Sequence, residues 1–530
     1  MKLYCLDQAH VTPEARYALE HALHQIGFFF EWTKHPGELD SSRMLIAYGA
    51  SDLSAVRAAV LRLPARFDLT ALTPRPERWH TLEFDGLSLP LLDEPGSGDP
   101  TTFPFDLLAN IFYHLTRLEE QPCRTPEQAD ASFADSILHR ADQHRVPVVD
   151  HLIRYFERFV TEFARRRRIF LLKKTAFPQN ESFGLALTHD VDQVRAFHPL
   201  KKEALKIGYY LGLQKRFTPQ QMDQADRQYW IFDRLLKDYA AGDWKATFFF
   251  IARYTEQRHF RYRINSDRFR QLFRQLQAAG QEIGLHPSRF AFDHPDRYRK
   301  EKIRLEKFAA AKLTGMRHHY LRCLFPRIWA IAEELNLAYD ASLIYNHRGG
   351  FRAGTAHPFV AFVPAKRKPL KTVAVPTAFF EKSLPNDGRD AVQNENYVLQ
   401  LVQNVARVHG ILTSLWHTNN IYRDEIAPGF WFRFLNHMKN QPAFKATLAD
   451  HVRWFHQRRQ LALLLFERSD SRIVVQLQLP PELDQFGLIL PAERWRLQHV
   501  APHCELTVLG DALLFSGCRG IRTLELIFSD

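Results

Sequence analysis

The sequence predicts an α/β protein whose main part is a (β/α) barrel or an open parallel sheet, with a small α/β unit before it and a β-rich unit after it. Three observations carry this. From about residue 181 to about 455, short apolar runs alternate with polar loops and long helical stretches. Residues 1 to about 95 show the same alternation on a smaller scale, and beyond about 457 the runs turn short and β-prone with turns between them. A chain of 530 residues exceeds what one core usually serves, so three regions are expected: 1–174, 181–456 and 457–530.

In the first region the apolar runs Met1–Leu6, Ile26–Trp32 and Met44–Tyr48 read as strands, with a helix over Pro13–His24. Phe105–Glu119 places Leu107, Leu108, Ile111, Phe112, Leu115 and Leu118 near helical spacing, an amphipathic stripe for core packing. A second helix, Pro147–Phe170, ends in Arg165–Arg168, which could contact polyanions but reads first as a solvated terminus that suits the helix dipole. Thr175–Glu181 reads as a linker, because Pro178 and Asn180 break both periodicities. In the central region the strand candidates are Gly184–Thr188, Ala246–Ile251, Glu282–Leu285, Val373–Val375 and Ile411–Trp416. Phe269, Leu272, Phe273 and Leu276 stand at i, i+3, i+4 and i+7, and Gly280 closes that helix directly before a strand, a unit of the parallel type. Ile473–Leu479, Gly487–Leu490 and Thr523–Phe528 make the last region a small β unit.

Hydrophobic residues at 45% and charged residues at 25% describe a folded chain rather than a disordered one. The net charge of +12 permits an anionic partner such as nucleic acid, a membrane surface or an acidic polymer without choosing among them. No nucleic-acid recognition motif is present, and no nucleic acid is expected. The five cysteines are scattered with no CxxC pair, which speaks against a disulfide framework or a thiolate zinc site and for a reducing compartment. No run approaches the roughly 18 apolar residues of a membrane span, and the first ten residues carry no apolar leader core, so a cytoplasmic location is expected.

The chemistry gathers where strands end. Leu187–Asp192 packs Thr188, His189, Asp190 and Asp192 at the C-terminal end of an apolar strand, which in a β/α barrel is the active-site rim. Asp190 and Asp192 are two apart and share a face of an extended chain. Carboxylates that close repel unless a cation lies between them, so one can bind a metal while the other serves as a base. His286 follows the strand Glu282–Leu285, which Pro287 stops, and can offer a nitrogen to a divalent metal.

Thr188–Asp192, Ala246–Phe250, Glu282–His286 and Leu415–His417 resemble, in order and spacing, the polysaccharide deacetylase (NodB-homology) family over about residues 181–455. Phe105–Ala109 and His114–Glu120 look like the uncharacterised N-terminal domain found in one bacterial branch of that family. The resemblance implies a distorted (β/α) barrel of NodB type between the α/β and β-rich flanks. It also implies a hydrolase of carbon–nitrogen bonds other than peptide bonds, one that releases acetate from a carbohydrate or other N-acylated substrate and uses a divalent metal, zinc foremost, held by an Asp and two His. Asp190 then matches the catalytic base, Asp192 the metal-binding Asp and His286 the first metal His. The usual place of the second is Phe290, which cannot ligate; His319, His294, His189 or water would have to replace it. Arg317 matches the arginine that holds the base, Arg352 is a second candidate for that role or for substrate, a structural ion pair being the alternative for each, and His417 matches the late His that protonates the leaving amine. Trp416, Tyr320 and Trp431 are candidates either for stacking on a sugar or for the core. The departure at Phe290 keeps open an alternative, a barrel without catalysis that binds glycans or serves assembly.

Overall fold

The computed structural model describes residues 1–49, 53–96, 98–252, 262–292, 294–385, 390–422, 429–469, 471–490 and 496–529. A parallel sheet opens the chain, with β1 (Leu3–Leu6), β2 (Phe30–Thr33), β3 (Met44–Tyr48) and β4 (Ala59–Leu63) in the order β2-β1-β3-β4. The helix Pro13–Ile26 makes the first crossover. Thr12 caps it by accepting from the Ala15 N–H, Pro13 fills its first turn, and Gly27 ends it at φ 97°, a left-handed conformation that a residue with a Cβ adopts at a cost. The hairpin β5 (His80–Phe84) and β6 (Leu87–Leu91) follows.

Two expectations for this region need correction. The stripe over Phe105–Glu119 becomes a helix over Leu107–Leu115 in which every residue is buried, not one face only. Phe112 packs edge-on to Tyr17 on one side and to Phe362 of the central region on the other, so no solvent face remains. Thr175–Glu181 is tied down rather than slack: the preceding β7 (Lys173–Lys174) pairs with a strand of the C-terminal region, and buried Thr175 donates its N–H to Gly487 O. The Arg165–Arg168 run does end a helix, Val148–Arg166, and Arg165 and Arg166 both pair with Glu162 on its exposed surface.

The central sheet is built from β8 (Phe183–Val191), β9 (Ala246–Phe250), β10 (Glu282–Leu285), β11 (Gly315–Met316), β12 (Tyr339–Leu343), β13 (Phe359–Val363), β14 (Lys368–Pro376), β15 (Phe379–Phe380), β16 (Ile411–His417) and β17 (Ala443–Lys445). Its order is β13-β14-β12-β11-β10-β9-β8-β16-β15, parallel throughout except for the β13–β14 pair, with β17 added alongside β8. Helices cover the outside, so β8, β9 and β12 are buried on both faces and read as near-continuous apolar runs. The sheet curls because β14 and β15 are one stretch of chain. Its first part pairs with β12 and its last part with β16, so Lys368–Phe380 joins the two ends.

Gly315 marks a tight point in that curl. A Cβ there would lie 2.0 Å from the ring of Tyr339, whose hydroxyl is bonded to Glu282 at 2.8 Å and whose ring is fully buried. The ring has no room to retreat. Gly315→Ala is expected to cost about 2–3 kcal/mol by overpacking, seen as a lower urea midpoint at unchanged slope.

The last region holds β18 (Ala462–Arg468), β19 (Arg472–Gln478), β20 (Phe486–Ile489), β21 (Arg496–Ala501), β22 (Glu505–Leu509), β23 (Ala512–Ser516) and β24 (Thr523–Ser529). They form two four-stranded sheets, β18-β19-β24-β21 and β22-β23-β20-β7. Among the described residues no helix is long and apolar enough to cross a membrane.

Candidate metal centre

Because the strands of the curled sheet run parallel, their C-terminal tips meet at one end, and the polar residues just past each apolar run meet with them. Alternation along β8 sends Thr188, Asp190 and Asp192 one way and His189 the other. His189 faces outward, where its Nε2 meets the Tyr239 hydroxyl and its ring packs on Trp431. It is no part of the site.

Asp192 is the centre of the cluster. Its Oδ1 lies 3.2 Å from His286 Nε2, and its Oδ2 lies 3.4 Å from His319 Nε2 and 3.6 Å from His417 Nε2. One donor atom from each of Asp192, His286 and His319 falls within 4.8 Å of the others, the one such group among the described residues. His319, and not Phe290, supplies the third donor atom of this group, and it arrives just past β11 rather than one turn past His286.

The donor set fits a divalent ion on three counts. His286 donates its Nδ1–H to Arg317 O at 2.6 Å, which fixes the tautomer and leaves the Nε2 lone pair facing Asp192. Neither His286 Nε2 nor Asp192 Oδ1 meets hydrogen-bond geometry with any described residue. Ligands about 2.0–2.1 Å from a tetrahedral ion stand about 3.4 Å from one another, which the 3.2 and 3.4 Å separations match. One carboxylate and two imidazoles with further positions open to solvent are the composition of a catalytic rather than a structural zinc site.

Around this cluster lie an arginine-held carboxylate and a glutamate-held imidazole. Buried Arg317 is fixed by four bonds: Nη1 to Thr188 Oγ1 at 2.7 Å and to Asp190 Oδ1 at 3.1 Å, Nη2 to Thr377 Oγ1 at 3.0 Å, and Nε to Ala341 O at 3.1 Å. Asp190 Oδ1 is therefore occupied, and Oδ2 lies on the side of the cluster, 3.6 Å from His286 Nε2. On the other side, His417 donates its Nδ1–H to Glu381 Oε1 at 2.7 Å, and Glu381 also accepts from Asn420 at 2.6 Å.

The electrostatics follow from this arrangement. Burial disfavours a charged His417, yet the charge and hydrogen bond of Glu381, with Asp192 and Asp190 behind them, raise it to about 10, so it carries a proton at neutral pH. Burial likewise opposes ionisation of Glu381 and Asp192, and the neighbouring imidazoles outweigh it, holding both below the usual carboxylate range. His286 is raised, since Asp190 and Asp192 overcome its burial, whereas burial wins at His319 and lowers it.

Asp190, Asp192, His286, His319 and His417 open on a cavity of about 510 Å³, lined also by Tyr320, Asn346, Lys382 and Asn419. Tyr320 stands half exposed on its rim. Trp416 and Trp431 are buried against each other, ring centroids 4.9 Å apart, and belong to the core. His294 is exposed, just before the helix Pro295–Ala309.

Arg352 is a correction. Its guanidinium binds Glu120 at 2.8 and 2.9 Å and Ile344 O at 2.8 Å, deep in the junction with the N-terminal region, and it does not line the cavity. Glu381 went unmarked in the sequence. It follows Phe379–Phe380 as Asp190 follows its own apolar run, but a two-residue strand is too short to stand out.

Comparison with known proteins adds the following. Residues 4–164 match a protein family of unknown function, DUF7033. No curated protein matches the chain. Among solved structures the chain is similar to a Mycobacterium smegmatis protein assigned to the polysaccharide deacetylases, at 14% identity and a TM-score of 0.38, covering 56% of this chain and 98% of that one. It is similar to the allantoinase PuuE, at 14% identity and a TM-score of 0.37, over 53% of this chain and 92% of that one. A third is BA3943 of Bacillus anthracis, described as a CE4 family pseudoenzyme, at 13% identity and a TM-score of 0.26, over 52% and 66% of the two chains. Similarities this distant do not decide the chemistry of this chain.

Proposed function

We propose that the chain is a divalent-metal-dependent hydrolase that removes an N-acyl group, N-acetyl foremost, from a glycan or a related amide. The observation that carries this reading is the Asp192–His286–His319 cluster standing between an arginine-held carboxylate and a glutamate-held imidazole in one open cavity.

Asp192, His286 and His319 would hold the ion, with zinc suited to this nitrogen and oxygen donor set. When bound, such an ion supplies Lewis acidity, polarising an acyl oxygen and lowering the pKa of water from 15.7 toward about 7. Asp190 then acts as general base. Arg317 occupies Oδ1 and orients the carboxyl, so Oδ2 takes the proton as a water oxygen forms its bond to the acyl carbon. His417, kept protonated by Glu381, gives its Nε2 proton to the departing nitrogen as the carbon–nitrogen bond breaks, and a carboxylic acid and an amine leave. Lys382, Asn346, Asn419 and Tyr320 give the cavity the polar lining that a hydroxyl-rich substrate needs.

The test pairs metal analysis with acetate release from N-acetylated oligosaccharides. One equivalent of zinc in the wild-type chain, lost in Asp192→Ala/His286→Ala together with turnover, is the expected result. Metal at full occupancy with no hydrolysis of any N-acyl substrate would instead assign the barrel to glycan binding. Absence of metal from the wild-type chain after zinc loading would overturn the reading.

A further inference from the structure

Two of the five cysteines meet. Cys518 directs its S–H at the Cys504 sulfur across 3.4 Å, with Ser516 O a weaker second acceptor at 3.8 Å, and both cysteines are buried. The other three stand apart: Cys5 lies on β1, Cys123 accepts from Arg75 at 3.7 Å, and Cys323 turns its S–H to Leu321 O at 3.4 Å. A separation of 14 residues matches no short cysteine motif, so the pair is visible only once the chain is folded.

The hairpin between them sets the contact. β22 and β23 pair antiparallel from Glu505 opposite Ser516 to Leu509 opposite Ala512, with Gly510 and Asp511 at the turn. One step further, the same register would set Cys504 opposite Gly517. Gly517 has φ 69°, a left-handed conformation that ends the strand, and Cys518 comes in beside Cys504 instead. The backbone of Cys518 is pinned there, donating its N–H to Asp484 O at 3.0 Å and accepting from the Ile521 N–H at 3.0 Å. The hairpin itself is weakly held. β22 is the outer strand of its sheet, and all of its residues are exposed, Leu506, Val508 and Leu509 included. Among the described residues its one strand partner is β23, and little apolar burial supports that ladder.

We infer that Cys504 and Cys518 are an oxidisable pair that forms an intramolecular disulfide and clamps the base of the β22–β23 hairpin, with a low-molecular-weight disulfide as oxidant. The sulfurs must close from 3.4 Å to about 2.05 Å, a movement within reach of side-chain rotation. Cys504, the less deeply buried of the two, attacks as its thiolate. A bond forms between its sulfur and one half of the oxidant, the oxidant's own S–S bond breaks, and the other half leaves as a thiolate that takes up a proton. The Cys518 thiolate then attacks the Cys504 sulfur and expels the remaining half in the same way. Two protein thiols are oxidised to one disulfide, and one small disulfide is reduced to two thiols. Burial, with Cys504 and Asp484 beside it, raises the Cys518 thiol, so its thiolate is scarce at neutral pH and the exchange is slow. The finished bond restricts the opened hairpin, which is how a cross-link stabilises a strand that burial does not hold. Nothing in this pairing depends on the chemistry of the metal centre.

The test holds the full-length chain with excess oxidised glutathione at about pH 8.5, where thiolates are populated, and then labels the free thiols with N-ethylmaleimide in urea. Mass spectrometry should find three labels per chain instead of five. The unlabelled pair should lie on the tryptic peptide 497–519, which holds both cysteines and no internal Lys or Arg, and dithiothreitol should restore all five labels. Hydrogen exchange at the β22 and β23 amides should be slower in the oxidised chain than in the reduced one by about ten- to a hundredfold. In Cys518→Ser, which lacks the second thiol, Cys504 should stop at a mixed disulfide with glutathione. The wild-type readouts stand even where that variant does not fold. Five labels on the oxidised wild-type chain, a linked pair that includes Cys5, Cys123 or Cys323, or a lasting glutathione adduct on wild-type Cys504 would each overturn the inference. So would a Cys504–Cys518 bond that leaves exchange in the hairpin unchanged.

Discussion

Asp190→Asn is expected to bind its metal as the wild-type chain does and to lose turnover by about 10²–10⁴-fold, the usual worth of a positioned general base. The two carboxylates separate cleanly in the structure. Asp192 faces the histidines, whereas Asp190 is bonded to Arg317 and lies outside the ligand group. The amide keeps the size of the side chain and can still accept from Arg317 through its oxygen, so the folded state and the ligands should survive, and what is lost is an oxygen able to take a proton. Metal content by atomic absorption and acetate release under saturating substrate are the two measurements. Full turnover with the amide in place would remove Asp190 from the base role. Loss of metal along with activity would instead make it a ligand.

Glu120→Ala is expected to be the most damaging single change for stability. Glu120 is buried and holds two buried guanidinium groups, accepting from Arg352 at 2.8 and 2.9 Å and from Arg117 at 2.6 and 3.1 Å. Burial would raise its carboxyl, but the charges of Arg117 and Arg352 hold it below the ordinary range. Removing it leaves Arg117 with Glu119 and leaves Arg352, among the described residues, with the Ile344 carbonyl and the Phe325 ring. Breaking one partner of a buried pair costs about 3–5 kcal/mol because the other charge stays buried. Urea denaturation should show this loss, and Glu120→Gln, which keeps the acceptor oxygen, should recover part of it. A loss under 1 kcal/mol would mean that water reaches the two arginines.

What could be read in the sequence depended on how local the cause was. Asp190, Asp192, His286 and His417 each follow an apolar run of several residues, so a strand tip announces them, and a parallel arrangement then brings them together. His319 stood only among alternatives, because β11 is two residues long and gives no periodicity. Glu381 was missed for the same reason at β15. Arg352, within Gly349–Thr355, stands in the sequence only as a second candidate for holding the base or for substrate. Its true partner lies 232 residues earlier, and no local pattern records a pairing of that reach. The helix Leu107–Leu115 reads as one-faced for a related reason, since the neighbour that covers its second face comes from the central sheet.

The stretch Lys368–Phe380 that bridges the sheet's two margins also carries Thr377, and Glu381 follows it directly. Thr377 braces the Arg317 guanidinium that holds Asp190, the proposed proton acceptor, and Glu381 braces the imidazole of His417, the proposed proton donor. Donor and acceptor are thereby geared to a single seam. Should that seam slip, both would drift out of alignment in one movement, so partial loosening of the curled sheet would abolish the proposed hydrolysis rather than slow one half of it.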